Sequence, residues 1–166
     1  MLVTLKTVQK NNLVRSFCLL ASIVLIPVNA IASTDLLSLR LKTSIQEVNG
    51  VREIEAGNYQ TGIRKTEAHL NKLKVMSLRA PYLNNLCVAY IAQENFDKAP
   101  SVCDESVKAN RESAIALNNR AVLHYLQGNM LASRADMTKA VETASQNRVV
   151  NHNQQIIGIN DLMAKN

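Results

Sequence analysis

The sequence has few of the residues that enzymatic and metal-binding motifs require. Its 166 residues include five glycines and three cysteines, and there is no tryptophan. It contains no phosphate-cradling glycine loop, no C-x-x-C pair and no zinc-ligand spacing. The histidines His69, His124 and His152 fall in separate segments without a neighbouring nucleophile or carboxylate arrangement, which favours packed or surface roles. These absences predict a protein that is not an enzyme, with no catalytic residue, no cofactor and no metal.

The longest apolar run lies near the amino end and is too short to span a membrane. Lys6, Lys10 and Arg15 precede the run FCLLASIVLIPV, which has about a dozen residues, whereas a membrane helix needs about 20. An Ala-Ile-Ala sequence ending at Ala32 then supplies the small residues typical of a signal-peptidase site. We therefore expect residues 1–32 to be a cleaved signal peptide and the protein to be periplasmic or secreted. An uncleaved membrane anchor is the alternative.

The remaining chain is mildly basic and has the length of one domain. All 13 acidic residues and 16 of the 19 basic residues follow the expected cleavage site, so cleavage lowers the formal charge from +6 to +3. No basic stripe interleaved with aromatic residues is present. We therefore expect no nucleic-acid partner.

One stretch of the sequence recurs further along the chain. NNLCVAYIAQEN begins at Asn84, and the similar stretch NNRAVLHYLQGN begins at Asn118. A fainter copy begins at Ile45. Because the apolar residues of each copy follow helical spacing, each copy is predicted to be a helical hairpin.

Each predicted hairpin has a turn of three similar residues. The turns are Gly57-Asn58-Tyr59, Glu94-Asn95-Phe96 and Gly128-Asn129-Met130. Glycine suits the left-handed end of a helix, whereas that conformation would cost on the order of 1 kcal/mol at Glu94. Pro100 follows the second turn and either kinks its helix or lies in the first turn of that helix.

These features resemble the tetratricopeptide repeat (TPR) family, whose period of about 34 residues equals the offset between Asn84 and Asn118. The resemblance covers residues 43–147 as three copies, about 43–76, 80–113 and 114–147, none of which has the family's tryptophan or terminal proline. It implies an all-α, right-handed superhelical array of about three helical hairpins. Residues 33–42 would lead into the first helix, and residues 148–166 would form a helix that caps the last hairpin.

The resemblance also implies a class of function. In the family, the inner helices line a concave groove that binds peptide segments of other proteins. The chain would then be a protein–protein interaction module of the cell envelope, with an unidentified protein or peptide partner. The groove residues implied by the resemblance are Asn84, Asn85, Asn118 and Asn119, with Val88, Ile91, Val122 and Tyr125 as an apolar floor. Since asparagine is a poor helix former, these amides either bind the ligand or bond to neighbouring repeats.

Two cysteines lie at similar distances from the second turn on helices predicted to be antiparallel. They are Cys87 and Cys103, which fall where the family packs a small residue against an aromatic one. In an exported protein such a pair predicts a disulfide, with buried thiols or a redox-active or metal-binding pair as alternatives. Cys18 is expected to leave with the signal peptide.

A basic segment and the cysteine pair supply two other functional hypotheses. The basic segment contains Arg64, Lys65, Lys72, Lys74 and Arg79. It would dock on an anionic membrane or an acidic envelope polymer, unless it is only a solvated helix face. A thiol-redox protein would use Cys87 and Cys103.

Overall fold

The computed structural model describes residues 2–4, 38–44 and 46–164 of the chain. The expected cleavage site near Ala32 and the predicted start of the first repeat at Ile45 lie outside these residues. Two short strands and seven helices occur in the described part. None of those seven helices is long and apolar enough to cross a membrane.

The helices pair into three antiparallel hairpins with a seventh helix at the end. Strands β1 (Leu2–Thr4) and β2 (Arg40–Lys42) precede α1 (Val51–Glu55), α2 (Tyr59–Leu70), α3 (Met76–Ala92), α4 (Ala99–Ala109), α5 (Ala114–Leu126), α6 (Met130–Thr143) and α7 (Arg148–Ala164). Each helix packs against the next along the chain, and α5 also contacts α3 and α7. The hairpins form the right-handed superhelical array that the sequence predicted, with α7 as its cap.

The core lies between neighbouring hairpins and is built from corresponding residues of successive repeats. Leu83 of α3 and Leu117 of α5 are one repeat apart, and both are buried. Val88 and Val122, at the same offset, are buried as well. Each such side chain stabilises the fold by about 1.5–3 kcal/mol relative to an exposed one. The helical spacing of the repeat therefore produces a continuous core along the array.

All three turns adopt the left-handed conformation, which the sequence indicated at the two glycines and left open at Glu94. Gly57 has φ 81°, Gly128 has φ 78° and Glu94 has φ 55°. Glu94 is the one non-glycine residue with positive φ in the described part of the chain. Pro100 lies in the first turn of α4, so that helix begins beside the proline and is not kinked by it.

The first hairpin differs from the others because its first helix is short. Gly50 precedes α1 with φ 93°, a left-handed conformation that prevents the helix from extending toward the amino end. A Cβ atom at Gly50 would lie 2.2 Å from Oγ1 of Thr66 in α2. That hydroxyl donates a hydrogen bond to the carbonyl of Gly62 at 2.7 Å. The close approach of α1 and α2 therefore requires glycine at residue 50.

The last helix buries one face against the array. Val149 and Ile156 are seven residues apart and both are buried, as expected for a capping helix. The side chain of Met163, which continues this spacing, lies outside the described residues. Contacts of α7 with both α5 and α6 cover the end of the third hairpin.

Candidate binding groove

The inner helices α3, α5 and α7 are covered by an extended part of the same chain. Residues 38–44, called the resident segment below, have β2 at their centre, and β2 contacts all three helices. Leu39, Leu41 and Thr43 are at most 2% exposed, whereas Arg40 and Lys42 between them are partly exposed. This alternation is that of a strand with one buried face.

One asparagine from each inner helix holds the main chain of the resident segment. Asn119 accepts a hydrogen bond from the Lys42 amide at 3.1 Å and donates one to the Lys42 carbonyl at 2.8 Å. Asn153 makes the same pair of bonds with Arg40, at 2.8 and 2.7 Å. Asn85 accepts a bond from the amide of Ser44 at 2.7 Å.

The spacing of these three asparagines matches both the repeat and the strand. Asn85, Asn119 and Asn153 follow one another at the offset that separates Asn84 from Asn118, so α3, α5 and α7 each carry one at the same place, whereas α1 carries none. In a strand, the N–H and C=O groups of every second residue point to the same side. Successive repeats therefore hold alternate residues of the resident segment. We call these three residues the asparagine ladder.

The residue before each ladder asparagine adds a bond to the same main chain. The amide Nδ2 of Asn84 donates to the Lys42 carbonyl at 3.1 Å, and that of Asn118 donates to the Arg40 carbonyl at 3.3 Å. His152, the corresponding residue of α7, places Nε2 2.9 Å from the carbonyl oxygen of Ser38. Since a carbonyl oxygen only accepts, this contact is a hydrogen bond when Nε2 carries the proton.

The asparagines also bond to one another across repeats. Asn119 donates to Oδ1 of Asn84 at 3.0 Å, and Asn153 donates to Oδ1 of Asn118 at 2.9 Å. All four are buried, so these bonds satisfy groups that would otherwise be costly inside the protein. The same side chains therefore bond between repeats and to the main chain of the resident segment, while the binding of a ligand by these asparagines stays a prediction.

The apolar floor expected from the resemblance is covered. Val88, Ile91 and Val122 are fully buried and belong to the same hydrophobic cluster as Leu39 and Leu41 of the resident segment. Tyr125 is only partly buried. The resident segment thus occupies the place where the sequence predicted a partner.

Sequence reasoning missed Asn153, His152 and the resident segment. The sequence contains a clear signal for the asparagine ladder, because Asn85, Asn119 and Asn153 are evenly spaced. The alternation of apolar and polar residues from Ser38 to Thr43 also predicts a strand. That signal is short, which made it easy to overlook beside the helical repeat.

Beyond Ser44 the groove continues as an open cavity. Its volume is about 320 Å³, and its walls carry no charged side chain: Thr43, Ser44, Gln46, Ser77, Ala80, Pro81, Asn84, Ser106, Asn110, Ser113, Ile115 and Ala116. The hydroxyl of Ser106 is buried without a hydrogen-bond partner, as is Nδ2 of Asn85 nearby on α3. This end of the groove can receive an uncharged group that forms hydrogen bonds.

The structure places Cys87 and Cys103 at bonding distance, with sulfur atoms 2.01 Å and Cα atoms 4.9 Å apart. Both are buried between α3 and α4. This position does not favour thiol exchange, which needs an accessible sulfur. Within the described residues, no group of three or more His, Cys, Asp or Glu side chains is arranged to hold a metal ion.

The basic segment does not form one continuous charged surface. Lys65 pairs with Glu53, and this hydrogen bond lowers the pKa of Glu53. Arg79 donates to the carbonyls of Leu70 and Leu73 at 3.2 and 3.1 Å. The three remaining basic residues, Arg64, Lys72 and Lys74, are exposed or partly exposed.

The architecture is similar to that of a solved structure, the first TPR of Spaghetti (RPAP3) bound to the HSP90 peptide SRMEEVD. The TPR chain of that structure is 18% identical to this chain. The two superpose with a TM-score of 0.60, over 69% of this chain and 87% of that one. No family model and no curated protein matches the sequence. A likeness at this identity shows the fold, and the fold of this chain is TPR-like.

Proposed function

We propose that the chain is an exported, non-enzymatic protein-interaction module that binds an extended peptide segment of a cell-envelope protein along its inner helices. The observation that carries the proposal is the asparagine ladder, which holds a peptide main chain at alternate residues. Contacts to main-chain groups do not depend on the side chains of the bound segment, so they suit a segment of another protein. The similar first TPR of RPAP3 is bound to a peptide, which supports peptide binding by this chain.

Export is the part of the proposal that rests on the amino-terminal sequence. The buried cysteine pair supports it, because disulfides persist in oxidising compartments. The processed protein is expected to begin at Ser33 or within a few residues of it. Mass spectrometry of the purified protein checks this, and an amino-terminal peptide containing Lys6 or Lys10 would contradict export with cleavage.

Site-specific photo-crosslinking in producing cells tests the interaction itself. A photoreactive residue replaces Gln46, which is exposed at the open end of the groove. The control replaces Leu131, which is 82% exposed on α6. A discrete adduct with one protein is expected from residue 46 and not from residue 131. No adduct from residue 46, or the same adduct from both positions, would sink the proposal.

A second candidate function is docking on an anionic membrane surface through the loop before α3 and the first turn of that helix. Val75, Met76 and Leu78 are 51–57% exposed and lie close in sequence to Lys72 and Lys74. Exposed apolar residues flanked by cations suit a lipid interface. Sedimentation with anionic vesicles should then be salt-sensitive and lost in Lys72→Glu/Lys74→Glu. The reversal Lys139→Glu, at an exposed residue of α6, should leave it unchanged.

A further inference from the structure

The resident segment has a second hydrogen-bonding edge that the asparagines do not use. In a strand, the N–H and C=O groups of one residue point to the same side, and those of the next residue point to the opposite side. The N–H and C=O groups of Arg40 and Lys42 point to the asparagine ladder and are bonded there. The N–H and C=O groups of Leu41 therefore point away from the inner helices. We call the side of β2 that carries them the outer edge.

The chain itself shows that the outer edge accepts a strand. Residues of β1 pair with it in antiparallel register, with Leu2 opposite Lys42, Val3 opposite Leu41 and Thr4 opposite Arg40. Opposed residues in such a pair alternate between exchanging two hydrogen bonds and exchanging none. Because Arg40 and Lys42 bond to asparagines, Val3 and Leu41 form the hydrogen-bonded pair.

Removal of the signal peptide would uncover this edge. β1 lies within residues 1–32, so cleavage takes it away and leaves the peptide groups of Leu41 without their strand partner. An unpaired edge of a fixed strand is a template for an incoming extended segment.

The charges beside the outer edge indicate what that segment carries. Arg40 and Lys42 flank Leu41, and neither has an ion-pair partner among the described residues. Residues directly opposite in an antiparallel pair have their side chains on the same face, where opposite charges attract. Acidic residues on either side of the residue that pairs with Leu41 would meet these two cations.

Addition at the edge is favoured over displacement of the resident segment. Leu39 and Leu41 are buried in the core cluster, and every inner helix bonds to the main chain of the segment. A competing peptide would have to replace all of these contacts, whereas an added strand leaves them in place.

We propose that the outer edge of β2 binds an extended acidic segment of a partner protein by antiparallel strand addition once residues 1–32 are removed. The inference rests on the proposed function of an interaction module, but it places the partner segment on the outer edge of β2, beside the resident segment, because the asparagine ladder is already bonded to that segment. The bound segment places its central residue opposite Leu41 and acidic residues opposite Lys42 and Arg40.

Synthetic peptides based on residues 1–5 test the charge preference. The processed protein, purified after export, is titrated with the peptide carrying Leu2→Glu and Thr4→Glu, and separately with the peptide carrying Leu2→Lys and Thr4→Lys. Amide shifts of Leu41 report the binding. At low salt the acidic peptide is expected to bind at least fivefold more tightly. The preference should reverse in the Arg40→Glu/Lys42→Glu variant, and equal affinities would overturn the proposal.

Methylation of single peptide nitrogens tests the geometry. An N-methyl group at residue 3 of the acidic peptide removes the N–H that faces Leu41 and should abolish binding. The same group at residue 2 lies on the far side and should leave the affinity within about twofold, since no paired N–H is lost. Equal effects at both positions would overturn edge addition. Edge addition would also be overturned if the bound peptide removed the hydrogen-exchange protection of the Arg40 and Lys42 amides, because that loss indicates displacement of the resident segment from the asparagine ladder.

The two proposals fail in different ways. If residue 46 gives an adduct but N-methylation at residues 2 and 3 of the peptide has equal effects on affinity, the interaction module is retained and edge addition is rejected. Peptide binding with the expected dependence, but without an adduct, would remove the interaction with an envelope protein and leave only the capacity of the outer edge to bind a strand. Retention of residues 1–32 in the exported protein would overturn the inference, because β1 would keep the edge covered.

Discussion

The side-chain amide of Asn119 uses its full hydrogen-bonding capacity. It exchanges two bonds with the main chain of Lys42, donates its other hydrogen to Asn84 and accepts a second bond from Asn118. Asn85 is equally buried, yet only its oxygen is bonded, to the amide of Ser44. At the scale of single residues, Asn119 and Asn85 are therefore equally buried but form different numbers of hydrogen bonds.

Replacing each of these asparagines by alanine should separate their contributions to stability. Asn119→Ala leaves the Lys42 amide and Oδ1 of Asn84 without their partners and is expected to lower the free energy of unfolding by about 2–3 kcal/mol. Asn85→Ala removes one bonded oxygen and one unsatisfied group, so about 1 kcal/mol or less is expected. Urea denaturation measures both.

A role confined to partner binding would give another result. Alanine is the better helix former, so each variant would then be as stable as the parent or slightly more stable. Equal stabilities of the two variants would also contradict the role assigned here to the ladder.

At the scale of elements, regular features were predictable and irregular ones were not. The constant offset between copies indicated the hairpins, but it left open whether the turn at Glu94 would keep the shape of the two glycine turns, which the structure answers with φ 55°. The short α1 depends on the contact between Gly50 and Thr66, which a local pattern does not reveal. The place of β2 was equally hidden, because the asparagines that bond to it are far away along the chain, with separations from 42 for Asn84 to 113 for Asn153.

The cysteine pair joins the two helices of the second hairpin. A bond between Cys87 and Cys103 closes a loop of about 15 residues and should contribute on the order of 3 kcal/mol by restricting the unfolded chain. Reduction is therefore expected to lower the melting temperature, with Cys87→Ala/Cys103→Ala as the control that does not respond to reductant. Two reactive thiols per denatured, non-reduced processed chain would show that the bond is absent.

At the scale of the whole molecule, the resident segment changes how the array holds together. In a stacked array each repeat contacts only its neighbours, so local unfolding stays local. The resident segment instead contacts α3, α5 and α7 at once, and its two leucines share one core cluster with all three helices. It therefore acts as a strap that couples the second hairpin, the third hairpin and the capping helix.

Removing one side chain from the strap should loosen distant helices together. Leu41→Ala creates a cavity at a fully buried site and is expected to cost about 2–5 kcal/mol. Because Leu41 lies between the residues held by Asn119 and Asn153, hydrogen exchange should quicken in α5 and α7, although both helices are far from residue 41 in sequence. The control Leu70→Ala, at the end of α2, should act mainly on the first hairpin and α3. If Leu41→Ala quickens exchange only around residues 38–44, the resident segment is a passive occupant of the groove and not a strap. If exchange quickens in α5 and α7 together, the resident segment holds these helices, and a partner bound at the outer edge of β2 would stabilise them through it.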